Sequence, residues 1–210
     1  TKTTVANTNR GASGCQEGNA IEIRNAPFNG SHPDTQTVEI AHNSLSGWQK
    51  TGIVANGDVD VWIHHNMVGA SATQANLAAN SIQVGFGGTG VVEHNLINGN
   101  QWLGASAYAA TAVLIYLTED TVVSNNNISG NSDIGIYELG TRSVIDNNRV
   151  FDTGQDSGAH PWDIGIGGWG TDPNITNNKV RGFDDALDPP SLVAKGKGGN
   201  KAIKGGGGKR

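Results

Sequence analysis

An asparagine recurs in this chain at positions 43, 66, 95, 126, 148 and 178, always between the same two kinds of neighbour. Three residues before it stands an apolar side chain: Ile40, Ile63, Val92, Val123, Ile145 or Ile175. Two residues after it stands another: Leu45, Val68, Ile97, Ile128, Val150 or Val180. The separations are 23, 29, 31, 22 and 30 residues, the length of a supersecondary unit rather than of a helical turn. A motif that keeps this register six times marks a chain built by stacking one unit on the next.

Each repeat also holds a second, alternating segment: Ile21-Glu22-Ile23, Ile53-Val54, Ile82-Gln83-Val84, Val113-Leu114-Ile115, Ile134-Gly135-Ile136 and Ile164-Gly165-Ile166. Alternation with period two is the signature of a strand, and no stretch carries an amphipathic helical pattern. The chain therefore reads as all-β: a single-stranded, right-handed parallel β-helix, a solenoid of about six to seven coils. Successive coils stack about 4.8 Å apart, so equivalent residues form columns along the axis. The two apolar columns point inward, which puts the asparagine between them in the interior. Its amide then bonds to the amides above and below as a ladder, because a buried amide without partners costs about 1–3 kcal/mol.

Length fits one domain. The sequence divides into a β-helix over residues 1–188, closed by residues 183–190, and a Gly- and Lys-rich basic tail over 189–210. The tail reads as a linker, or as a segment that docks on an acidic surface. Thr4-Val5-Ala6-Asn7 resembles a ladder segment, so the chain is expected to begin inside a solenoid, with an edge for another chain to pair on. Residues 1–190 hold 19 acids and 8 bases, whereas the last twenty hold six bases and no acid. An acidic body argues against nucleic acid as the main partner. It also disfavours long-range attraction to acidic polysaccharide unless a metal or a local basic patch intervenes. Cys15 is the single cysteine, so no internal disulfide forms. No apolar run is long enough to insert in a membrane.

The coils differ in the connection between their two segments, short at 46–51 and 129–133 and long at 69–80, 98–111 and 152–163. Stacking predicts a notch at 129–133 between two tall loops, with Trp102 and Tyr108 on one wall and His160 and Trp162 on the other. Asp133 in its floor, Glu138 and His160 are candidate acid and base. Trp102, Tyr108, Trp162 and the pair Tyr116 and Tyr137, read as stacked on adjacent coils, are candidate sugar platforms. Arg149 and Lys179 share a column and suit a uronate carboxylate.

The column two before the asparagine includes His64, Glu93 and Asp146 and is expected to face solvent. His64 and Glu93 would stand one rung apart as a hydrogen-bonded pair. Glu93 and Asp146 would stand about 9–10 Å apart, near the upper end for paired carboxylates that invert a glycosidic bond. The alternative is a solvated polar face. His42, His65 and His94 directly precede their asparagines, as imidazoles for a transition metal or as polar corner residues. No metal-ligand set is assigned. The outward stripe Trp62, Val91, Val122 and Val144 is apolar. It needs a cover, either the residues after 183 or another copy of the chain.

These repeats resemble the right-handed β-helix superfamily of pectate lyases, related polysaccharide lyases and epimerases, and repeat proteins of the NosD type. Val61-Trp62-Ile63-His64-His65 is similar to the Val-Trp-Ile-Asp-His segment of pectate lyases, which implies a neighbouring calcium site, with His64 where the family carries aspartate. The Arg-x-Pro-x-x-Arg segment of the lyases has no counterpart, nor do the Asn-Thr-Asp, paired-Asp and Gly-His-Gly motifs of polygalacturonases. The expectation is a secreted, extracellular or cell-surface protein whose partner is a polysaccharide, bound in the notch, with cleavage by lyase or glycosidase chemistry left open. The competing expectation is a non-catalytic module that assembles end to end or side by side.

Overall fold

Each repeat turns three corners, so it contributes one strand to each of three parallel sheets. The computed structural model describes residues 2–25, 34–71, 74–104, 108–154, 162–192 and 199–203. Sheet A holds the strands after the asparagine: Thr4–Ala6, Ser44–Ser46, Met67–Val68, Leu96–Asn98, Asn127–Ser129, Arg149–Phe151, Lys179–Arg181 and Lys201–Ile203. Sheet B holds the alternating segments: Ile21–Asn25, Thr51–Gly57, Asn80–Gly85, Thr111–Glu119, Ile134–Thr141, Ile164–Gly168 and Asp185–Asp188. Sheet C holds the strands before the asparagine: Gln36–Ala41, Val59–His64, Thr89–Glu93, Val122–Ser124, Val144–Asp146 and Asn174–Thr176.

The registers place the predicted columns directly over one another. Ile40, Ile63, Val92, Val123, Ile145 and Ile175 pair in succession, as do Leu45, Val68, Ile97, Ile128, Val150 and Val180. All are buried in one core with the inward residues of sheet B. Each such side chain contributes about 1.5–3 kcal/mol relative to exposure. Between them the ladder is continuous. Oδ1 of each asparagine accepts both the main-chain N–H and the amide of the asparagine one coil earlier, at 2.9–3.1 Å from Asn43 through Asn178.

A corner precedes each rung. His42, His65, His94, Asn125, Asn147 and Asn177 all have φ between 53° and 58°. Asparagine and histidine are among the few side chains enriched in that left-handed conformation, so the turn explains the residue types of this column.

Two expectations about the ends change. Thr4 pairs with Ser44, which puts Thr3 rather than Asn7 at the rung, and the Thr3 N–H donates to Asn43 Oδ1 at 3.1 Å. Within residues 189–210, Lys201–Ile203 adds a parallel strand beside Lys179–Arg181, and Asn200 supplies a seventh rung. The described residues after 183 therefore extend sheets A and B and do not lie over the stripe on sheet C. Trp62 is 46% exposed there, with Val91, Val122 and Val144 half-buried beside it. No helix among the described residues is long and apolar enough to cross a membrane.

Candidate functional site

The predicted notch is closed among the described residues. Asp133 is 1% exposed, and its Oδ2 accepts the main-chain N–H groups of Trp102 and Ala110 at 3.0 and 2.8 Å. The long loop needs acceptors for its turned-in amides, and the carboxylate is drawn in under it. Trp102 goes with the loop and is buried. Asn131 fills the remaining gap. Its amide reaches toward Gln101 at 3.5 Å on one side, and on the other it packs so closely on Gly154 that any side chain there would overlap it. Tyr108 stands outside, 71% exposed. His160 lies outside the described residues.

Glu138 is also interior. Its row in sheet B runs Ala55, Val84, Ile115, Glu138, all facing the core. Oε1 accepts the Gly140 N–H at 2.7 Å and Oε2 the Gly170 N–H at 3.0 Å. A Cβ on Gly170 would meet those carboxylate oxygens at 2.4–2.6 Å, so only glycine lets the backbone approach. Asp133 and Glu138 are thus anchors for main chain, out of reach of a polymer.

His64 and Glu93 are on neighbouring rungs, as expected, yet they do not pair with each other. His64 Nε2 lies 3.0 Å from Glu39 Oε1, one coil earlier, and its ring stacks under Trp62 at 3.9 Å. That indole covers a column expected to face solvent; His64 is buried. Glu93 accepts from Trp62 Nε1 at 2.9 Å and lies 3.4 Å from His94. Asp146, two rungs from Glu93, accepts from Thr176 and Asn177, both at 2.7 Å. The polar-face reading describes this column better than a catalytic pair does. His65 stacks between His42 and His94 at 5.2 and 5.3 Å. Desolvation and then the neighbouring imidazoles hold its pKa below the ordinary value.

Calcium does not fit here. It takes six to eight oxygen ligands, whereas this corner presents four imidazoles, and both glutamates are already bonded to ring N–H groups. Among the described residues no three His, Cys, Asp or Glu side chains are grouped to hold a metal.

The outer face of sheet B gathers the remaining candidates. The register there differs from the one expected: Val113 pairs with Ile136, Leu114 with Tyr137 and Tyr116 with Leu139. Tyr116 and Tyr137 are therefore offset by two residues rather than stacked, although both face outward and share one surface. Phe86 meets Tyr116 edge-on at 5.3 Å. Tyr137 meets Trp169 edge-on at 5.1 Å, and Trp162 meets the same indole at 6.4 Å. The Trp169 ring lies over Gly167, where a Cβ would fall 2.1 Å from it, and its Nε1 donates to Asp188 Oδ2 at 3.1 Å. Burial, and then Tyr116, push the Tyr137 phenol pKa up.

Beside Tyr116 an open groove of about 390 Å³ crosses the earlier coils. Its floor is a chain of amides: Thr111 Oγ1 donates to Asn80, Asn80 to Gln83 and Gln83 to Asn56, each at 3.0 Å. Glu22, Arg24 and Lys50 line its rim. Lys50 donates to the Ala78 carbonyl at 2.6 Å, and desolvation pulls its pKa down to about 8. Lys50 and Trp169 carry no repeat signal in the sequence, since they sit in connections whose length varies.

Arg149 and Lys179 do share a column, on the outer face of sheet A, away from this groove.

The fold and its internal ladder define a β-helix solenoid. Residues 28–182 match the family model described as the right handed beta helix region, and the chain belongs to that family. No curated protein and no solved structure matches it.

Proposed function

We propose that this is a carbohydrate-associated β-helix protein of the extracellular space or cell surface, holding a polysaccharide along the outer face of sheet B. The observation that carries the reading is the groove itself, in which a floor of linked amides runs beside Phe86 and Tyr116 on the face that also bears Tyr137, Trp169 and Trp162. Aromatic faces suit the apolar faces of sugar rings, and amides match hydroxyls that both donate and accept. Binding has this support, whereas Asp133 and Glu138 are committed to main-chain amides. If the chain cleaves its ligand, Lys50, Glu22 and Tyr116 are titratable groups that line the groove.

A glycan array followed by affinity electrophoresis tests the reading. Wild type is expected to be retarded by at least one polysaccharide, and Tyr116→Ala and Trp169→Ala to lose most of that retardation while keeping their melting temperatures. Absence of any binder on the array sinks it. Assay of uronate polymers for unsaturated products, with Lys50→Met alongside, decides whether binding leads to elimination.

A second reading, an assembly module, draws on the stripe formed by Trp62, Val91, Val122 and Val144. Sedimentation that shows concentration-dependent growth, abolished by Trp62→Glu, favours it.

A further inference from the structure

Four cations converge at the far end of sheet A. Arg149, Lys179 and Lys201 pair rung to rung in one outward column, and Arg181 lies two residues beyond Lys179 on the same outward face. All four are exposed, and none makes an ion pair among the described residues. Phe151 and Ile203 flank Arg181 in its own column, with the Arg181 guanidinium 5.2 Å from the Phe151 ring centre. Lys201 belongs to the segment whose composition marks it as a tail, so the column completes itself only because that segment returns to the sheet.

Like charges directly opposite on adjacent strands destabilise a sheet. Here three stand in line at about 4.8 Å intervals, in a chain whose net charge is −5. No ion pair neutralises these four cations among the described residues, so the strip offers its positive charge to an approaching polyanion. The strip is narrow, straight and parallel to the solenoid axis, so it fits a linear chain with anions along one edge. The flanking ring and aliphatic face offer contact to apolar ring faces rather than to further charges. Duplex nucleic acid presents charge on a broad front, which would meet the acidic body on either side. We infer that this strip binds an acidic polysaccharide, uronate-bearing or sulfated, at a surface separate from the groove on sheet B. The inference stands independently of the groove. It identifies the local basic patch that an acidic body requires before a polyanion can approach.

The test uses the full chain and the double variant R149Q/K179Q. Both are measured by affinity electrophoresis and calorimetry against polygalacturonate, dextran sulfate, neutral dextran, duplex DNA and phosphatidylserine vesicles. Wild type is expected to bind at least one of the two acidic glycans at low salt, to weaken as salt rises, and to ignore neutral dextran through this surface. R149Q/K179Q is expected to lose about tenfold in affinity with an unchanged melting curve, and R142Q, which removes an exposed cation already paired with Glu119 and Asp120, to keep wild-type affinity for the acidic chain. The inference is overturned if neither acidic glycan binds, if the double variant binds as wild type does, or if DNA or vesicles bind more tightly than both glycans. Because R149Q/K179Q leaves the sheet B groove untouched, its loss separates this surface from the groove reading.

Discussion

Asn178 donates both its main-chain N–H and its side-chain amide to Oδ1 of Asn200, at 3.1 and 2.9 Å. The Asn200 amide in turn donates to the carbonyls of Ile175 and Leu192 at 2.8 and 2.7 Å. A residue in a Gly- and Lys-rich stretch thus closes the same polar column that runs through the interior. Every rung before it has the acceptor of the next, so the ladder leaves no buried amide of Asn43 to Asn178 without a partner.

The first prediction concerns that column. Asn126→Ala removes the acceptor for the Asn95 N–H and amide and the donor to the Val92 carbonyl. Unmet buried groups cost about 1–3 kcal/mol each, so a loss of about 3 kcal/mol or more is expected in urea denaturation. Asn200→Ala, at the last described rung, is expected to cost less, about 1–3 kcal/mol. Equal losses at the two sites would mean that the ladder is not cooperative along its length.

Glu138 supplies the second. Glu138→Gln keeps one carbonyl oxygen for either Gly140 or Gly170, whereas Glu138→Ala leaves both N–H groups unmet in the core. The order of stability is expected to be wild type, then Gln, then Ala, with the alanine variant down by about 2–5 kcal/mol. Glycan binding by the folded fraction should persist in both. A glutamine variant that keeps full stability but loses all binding would return Glu138 to the functional site.

Asp133 gives the third. Asp133→Ala deprives Trp102 and Ala110 of their acceptor, and the loop from 98 to 111 is expected to loosen before the coils unfold. Limited proteolysis should cut that loop faster, while the melting temperature falls by only a few degrees. Cutting elsewhere first would mean that the carboxylate does not fasten this loop.

How much of this was legible beforehand depended on which residues repeat. The asparagine and its flanking apolar residues recur with fixed offsets, so the columns, their burial and the ladder could all be read from spacing. In sheet B the same logic left a degeneracy. A two-residue slip keeps every side chain on its own face, so alternation could not separate Ile134 from Ile136 as the partner of Val113. That slip misplaced Tyr116 against Tyr137. Acids were harder still. Asp133 and Glu138 look like surface chemistry by type, and only the position of main-chain N–H groups above them makes them interior anchors. Lys50 and Trp169 lie in connections of irregular length, where no column vouches for a neighbour, so neither the place of Lys50 in the groove nor that of Trp169 against Tyr137 could be read from spacing.

The last prediction follows from Lys50, whose pKa is drawn down to about 8 by desolvation, which its bond to the Ala78 carbonyl does not offset. Unfolded, the same ammonium titrates near 10.5. Between these values the unfolded chain holds a proton that the folded chain has released, so unfolding takes up a proton and stability rises with pH. Below about pH 8 both forms are charged and the full desolvation cost is present. Above 10.5 both are neutral and the cost is gone. The slope cannot exceed about 1.4 kcal/mol per pH unit, and solvent reaching the groove will reduce it. Urea denaturation of wild type and Lys50→Met from pH 7 to 10.5 reads it directly. The two curves are expected to converge as pH rises, because the methionine variant lacks this one titration and keeps all the others. Parallel curves would mean that the ammonium remains well solvated in the groove.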